Sequence, residues 1–236
     1  MRIIILADSL GRPRPDLAPE ERTEYEDTYP YLLRRHFPSY EVEICYVESL
    51  DSDDAIFWNE RMVAFRRPNI VLYHFGINDC APRVFRKGSR SILLASWFRR
   101  LTRDYFLRGI HRMRRYLIRS IFRNKVYVPL KRFKENFLKM RQDVLNYAPH
   151  CRFWVLGISA KPDWLEQRSP GYNANISVYN AALREIFADH FLDVQGMVGE
   201  TPENQLISDG VHFTKETHRK LYEHLSQTLE KNGVSL

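Results

Sequence analysis

The first apolar run of the chain ends on a serine. In "RIIILADSLGRPRPD", Arg2 to Asp16, the run Ile3–Ala7 passes straight into Asp8-Ser9-Leu10-Gly11. A serine hydroxyl is a weak nucleophile until a base takes its proton, and the usual base is a histidine held by a carboxylate. The tail supplies both residue types. "LISDGVHFTKETH" carries Asp209 and His212, spaced as Asp-x-x-His, in a loop before the last helical pattern. Such a loop can bend the carboxylate onto Nδ1 and leave Nε2 for Ser9. A third piece is "FGIND", where Gly76 permits close backbone approach and Asn78 offers an amide that could face a developing oxyanion. The chemistry these residues suit together is acyl transfer.

These pieces work together only if the fold gathers them. β-branched and apolar runs recur at Ile3–Ala7, Val42–Val47, Asn69–Phe75, Phe153–Ile158 and, more weakly, Phe191–Val194. Helical periodicity fills the intervals at Tyr29–Phe37, Asp53–Phe65, Phe133–Tyr147, Asn175–His190 and Thr214–Leu229. Alternation of this kind predicts a mostly parallel sheet covered by helices on both faces. Every strand-to-helix turn then opens on one edge, where an open α/β sheet places its site. That edge collects "ADSLG", "ESLDSDD", "FGINDC" and "GISAKP".

A chain of 236 residues, 44% hydrophobic and 28% charged, suits one globular domain, 1–236. Cys45, Cys80 and Cys151 are too few and too scattered for a disulfide framework or a zinc site, so a reducing compartment is expected. No secretory pattern follows Met1, and no run approaches a membrane span. The expectation is a cytoplasmic protein. Charge is uneven. Between Arg83 and Arg132 sixteen Lys and Arg face one acid, Asp104, a net +15; a total of +7 leaves the remainder near −8. Within this stretch, residues 89–123 read as a basic amphipathic helix, with Leu93, Trp97, Phe98, Leu101 and Tyr105 interleaved with Arg99, Arg100, Arg103 and Arg108. It is expected to be a helical insertion, about 83–132, on the active-edge side. Its role is open between a solvated lid and an anion-binding surface, such as the inner face of a membrane.

"ADSLG", "GIND" and "DGVH" resemble the GDSL, GxND and DxxH blocks of the SGNH/GDSL hydrolases, and the resemblance spans Ser9 to His212 apart from the basic segment. It implies a three-layer α/β/α, flavodoxin-like fold with a five-stranded sheet. It implies Ser9 as nucleophile, His212 as base and Asp209 as its partner, without cofactor or metal. The implied oxyanion hole joins the Ser9 N–H, the Asn78 side chain and a backbone N–H from the second block. Two positions depart from the pattern. Ala7 replaces a glycine of the first block, and "ESLDSDD" has no glycine; its nearest match is Ser52, with Ser49 as competitor.

The expected activity is therefore that of a carboxylic ester hydrolase acting on a small-molecule or glycan ester; the resemblance favours an O-acylated carbohydrate, with a small lipid ester as the alternative, and the residues themselves do not choose between them. The rivals are an acyltransferase using the same acyl-enzyme, and an anion-binding protein acting through the Arg-rich insertion. Nucleic acid is the weakest partner, because no recognition module is evident. Among the remaining candidates, His74 reads as a core residue and Cys80 as an inert buried thiol. Asp8 should bond local backbone N–H groups, and His218 and His224 should lie on the surface of the last helix.

Overall fold

The computed structural model describes residues 1–84, 87, 105–121, 125–199 and 201–234. Five strands form one sheet: β1 (Arg2–Ala7), β2 (Glu41–Tyr46), β3 (Ile70–His74), β4 (Arg152–Leu156) and β5 (Phe191–Leu192). Their order is β2-β1-β3-β4-β5, and every pairing is parallel. Chain direction across the sheet reverses between β1 and β3. That is the switch point at which such sheets open a crevice.

The central strands are buried on both faces, which is why their sequences are continuous apolar runs without alternation. Ile4, Ile5 and Leu6 of β1 and Ile70 and Val71 of β3 have no exposed surface. β2 is an edge strand and alternates more, with Glu41 exposed and Val42 and Cys45 buried.

The helices are α1 (Tyr29–His36), α2 (Ser52–Met62), α3 (Ile77–Cys80), α4 (Tyr105–Ser120), α5 (Leu130–Tyr147), α6 (Asp163–Arg168), α7 (Tyr172–Phe187), α8 (Val194–Val198), α9 (Pro202–Gln205) and α10 (Lys215–Lys231). α1, α8 and α10 pack as one layer, and α2, α5 and α7 as the other. Helix starts follow their caps. Asp51 accepts from the Asp54 N–H at the head of α2, with Asp53 and Asp54 in its first turn, and Thr214 accepts from the Thr217 N–H at the head of α10.

Two expectations change in detail. His218 is buried, not on the surface of the last helix. Its Nδ1 accepts from the Tyr29 N–H at 3.4 Å and its ring stacks on Tyr29. The cause is packing: α10 lies against α1, and His218 falls on the side that meets it. The short strand β5 ends at Leu192, because the Asp193 side chain then caps α8. Within the basic stretch, α4 is helical, whereas residues 88–104 and 122–124, and with them most of the amphipathic pattern over 89–123, lie outside the described residues. Among the described residues, no helix is long and apolar enough to cross a membrane.

Candidate active site

β1 delivers Ser9 to the switch point. The strand hands over to a single 3-10 turn, Ser9–Gly11, capped by Asp8, whose Oδ1 accepts from the Leu10 N–H at 2.8 Å. Ser9 opens this turn, so its own N–H has no acceptor within the turn. Asp8 is fully buried, which raises its carboxyl to about 7 against the pull of the Leu10 N–H and of the Lys161 and Arg14 charges. The expectation that Asp8 binds local backbone holds.

The tail loop brings His212 and Asp209 to the same point. Ser9 Oγ lies 2.9 Å from His212 Nε2, and His212 Nδ1 lies 2.5 Å from Asp209 Oδ2. The loop is organised by the aspartate itself. Its Oδ1 accepts from the Val211 and His212 N–H groups at 2.7 and 2.9 Å, which leaves Oδ2 for the ring. Burial alone would raise Asp209, but the bonds from the His212 ring and backbone hold it below the ordinary carboxylate value. Gly210 makes the turn feasible. It adopts φ +68°, and an added Cβ would sit 2.6 Å from Trp164. On the far side, Ser208 donates through N and Oγ to Glu21, tying the loop to the segment after Ser9.

β3 contributes the third piece. Gly76 at φ +126° starts α3, with Ile158 3.0 Å from where a Cβ would stand. Asn78 then lines the cavity that holds Ser9 and His212. Its amide is fixed at both ends: Nδ2 donates to Leu50 O at 3.1 Å, and Oδ1 accepts from Arg83 at 3.2 Å. The second Nδ2 hydrogen makes no hydrogen bond among the described residues.

The second block is a correction. Ser52 is fully buried at the start of α2, and its N–H donates to Asp79 Oδ1 at 2.9 Å. That N–H is therefore committed to the buried Asp79 carboxyl group and is not available to the cavity. Its hydroxyl accepts from Asn136 at 2.9 Å. Glu48 and Ser49 are the second-block residues that line the cavity, and Ser49 takes φ +56°, a left-handed conformation usually left to glycine. The missing glycine of this block thus falls nearer Ser49. The signal available in the sequence was the acidic run Asp51, Asp53 and Asp54, which marks the helix start and places Ser52 inside it.

Around this core the polar groups are buried. His74 is fully buried, accepts or donates at Nδ1 to the Tyr29 hydroxyl at 2.8 Å, and is pushed down to about 3 by burial. Cys80 is fully buried and its thiol is raised far above the usual range. Both match their expected structural roles. Lys161, in the loop after β4, is almost fully buried and pushed down to about 8. Asp79 is raised to about 8 by burial.

Sequence reasoning missed two arginines. The Arg14 guanidinium contacts His212 Nε2, and Arg83 holds Asn78. Neither lies in a motif; only the fold of the loop after Ser9 and of the turn after α3 brings them in. Ser9, Arg14, Ser49, Asn78, Arg83 and Tyr172 line a cavity of about 270 Å³, completed by Glu48, Ile77, Val211 and His212. Among the described residues, no group of three or more His, Cys, Asp or Glu side chains could hold a metal ion. A hydroxyl, a base, a carboxylate that fixes the base and an amide lining the same cavity are the parts needed for acyl transfer.

No family model and no curated protein matches the sequence. The fold has extensive counterparts. The chain is similar to the lipase/acylhydrolase from Enterococcus faecalis, with 14% identity, a TM-score of 0.64, and coverage of 98% of this chain and 97% of that one. It is similar to the psychrotrophic esterase EstA from Pseudoalteromonas sp., with 14% identity, a TM-score of 0.57, and the same coverage of 98% and 97%. It is also similar to Axe2, an acetylxylan esterase from Geobacillus stearothermophilus, with 15% identity, a TM-score of 0.60, and coverage of 96% and 92%. The chain has the SGNH hydrolase fold, and its structural neighbours over nearly the full length are SGNH/GDSL lipases and esterases.

Proposed function

We propose that this chain is a serine ester hydrolase that removes a short acyl group from an alcohol, with an O-acylated carbohydrate as the substrate class. One observation carries this reading: the unbroken line from Ser9 Oγ through the His212 ring to Asp209 Oδ2, at 2.9 and 2.5 Å, at the switch point of the sheet. In the first step Ser9 Oγ attacks the ester carbonyl while its proton passes to His212 Nε2. The negative charge that develops on the carbonyl oxygen meets the Ser9 N–H and the free N–H of Asn78. Collapse expels the alcohol, which takes the proton from Nε2. Water then repeats the sequence on the acyl-Ser9 ester and releases the carboxylic acid.

Two observations support the choice of substrate. The cavity, about 270 Å³, lies at the low end for a small-molecule site and suits an acetyl-sized group with part of one ring better than a long acyl chain. Axe2, a fold neighbour, is described as an acetylxylan esterase. The test is a series of 4-nitrophenyl esters from acetate to octanoate, together with acetylated sugars, on wild type and Ser9→Ala. The expected result is the highest kcat/KM on acetate, lost in Ser9→Ala. Hydrolysis that peaks on octanoate refutes the short-chain assignment. Turnover retained in Ser9→Ala refutes the mechanism.

A further inference from the structure

The cavity beside Ser9 is lined by two arginines that make no direct ion pair among the described residues, although Asp209, Glu48 and Asp8 lie close enough to act on the charge of Arg14. Three charged side chains line it: Arg14, Glu48 and Arg83. Glu48 is engaged by Arg12 at 3.2 Å. Among the described residues, neither Arg14 nor Arg83 pairs with a carboxylate, and the Nε of each is buried without an acceptor. Arg83 is held in place by other means. It donates to Asn78 O and Oδ1 and lies 4.2 Å over the Tyr127 ring. Arg14 is different. Its backbone is pinned by paired bonds with Thr23, but its guanidinium reaches the crevice, where among the described residues its one hydrogen-bond contact is the His212 ring.

A buried donor left unsatisfied is costly, and a guanidinium is shaped to grip a carboxylate or phosphate with two parallel bonds. The position of Arg14 says where that anion would lie. It stands at His212 Nε2, the atom that hands its proton to the departing alcohol, so it faces the alcohol side of the ester. The geometry points to a substrate whose alcohol carries a carboxylate or phosphate about one ring away from the acylated oxygen, held by Arg14 with Arg83 adding charge across the cavity. This inference rests on the ester-hydrolase reading and adds the charge of its substrate.

The contact with His212 gives the arginine a second consequence. With its Nδ1–H on Asp209, the neutral ring has one lone pair at Nε2. Ser9 Oγ–H and the Arg14 N–H both address it. An anion that draws Arg14 away leaves Nε2 to Ser9, so an anionic substrate gains in kcat as well as in KM.

Matched aryl acetates test this: 4-acetoxybenzoate, 4-acetoxyphenyl phosphate and the neutral 4-acetoxybenzamide, each normalised to its hydroxide-catalysed rate. A charge-assisted hydrogen bond predicts kcat/KM about 10- to 100-fold higher for the better anion than for the amide. Whichever anion leads identifies the source of the charge. Arg14→Gln should bring the ratio close to one, and Arg14→Lys should keep part of it. In wild type alone, 4-hydroxybenzoate should inhibit more strongly than 4-hydroxybenzamide, a readout that does not depend on any variant folding. Equal kcat/KM for charged and neutral esters overturns the inference, as does a preference that survives Arg14→Gln in a folded protein; Ser9 labelling by a fluorophosphonate would then still uphold the ester-hydrolase reading. No hydrolysis of any of the three, with Ser9 unlabelled, overturns both.

Discussion

Asp209→Asn separates the two tasks the structure gives this carboxylate. Oδ1 organises the loop by accepting from the Val211 and His212 N–H groups, and Oδ2 accepts from the His212 ring at 2.5 Å. Asparagine keeps a carbonyl oxygen for the two backbone donors, so the turn over Gly210 should survive. It replaces Oδ2 with an NH2 group, which donates. His212 Nδ1 must then accept, its proton moves to Nε2, and Nε2 can no longer take the proton of Ser9. A wrong tautomer of this kind costs about 10⁴ in kcat, or about 5.5 kcal/mol of transition-state stabilisation. The assay is 4-nitrophenyl acetate turnover, with near-ultraviolet circular dichroism and Tm as checks on the fold. The expected result is a folded variant with KM within a few-fold of wild type and kcat down by about four orders of magnitude. A folded variant with kcat within tenfold of wild type would refute the reasoning and reduce Asp209 to a turn residue.

Three further outcomes follow from the same geometry. Asn78→Ala removes the amide that lines the cavity with Ser9 and should lower kcat about 10²- to 10³-fold with little change in KM; an unchanged kcat would make Asn78 a turn residue held by Leu50 and Arg83. Burial holds the Asp79 carboxyl at about 8 against an ordinary 3.8, so between those values the native chain binds a proton the unfolded chain has released, and stability falls as pH rises. Asp79→Asn should therefore flatten the decline in Tm between pH 5 and pH 8, and a decline as steep as wild type would contradict the assignment. Gly210→Ala meets both a positive φ and the Trp164 ring, so it should lower Tm and esterase activity together, whereas an unchanged Tm would show that the turn relaxes freely.

Much of this was legible in the sequence, for reasons that differ by element. β1 and β3 announce themselves because a parallel strand buried on both faces is almost wholly apolar: Ile3–Ala7 runs straight into Asp8-Ser9, and Ile70–Phe75, with His74 as its one polar residue, runs into Gly76. Ser9, Asn78 and the Asp209–His212 pair were readable because each belongs to a local spacing that the chain order carries to one sheet edge. Ser52 was misplaced because the sequence does not say which residue of "ESLDSDD" turns toward the crevice. That is decided by Asp79, which takes the Ser52 N–H, and by the left-handed backbone of Ser49. Arg14 and Arg83 were not readable at all. The Arg14 contact with His212 joins residues 198 positions apart, and the Arg83 contact with Asn78, five positions away, depends on a turn after α3 that carries no recognisable motif. His218 looked like a surface residue on an amphipathic helix because the sequence does not show that α1 packs over it.

The central claim is that Ser9 is the nucleophile and His212 its base. Intact-mass and peptide analysis after incubation with a fluorophosphonate tests it most directly, because the reagent reports an activated serine whatever the natural substrate. One adduct per chain is expected, located on Ser9, with its near-complete loss in His212→Ala at the same exposure. An adduct on another serine, or equal labelling of Ser9 with and without His212, would contradict it.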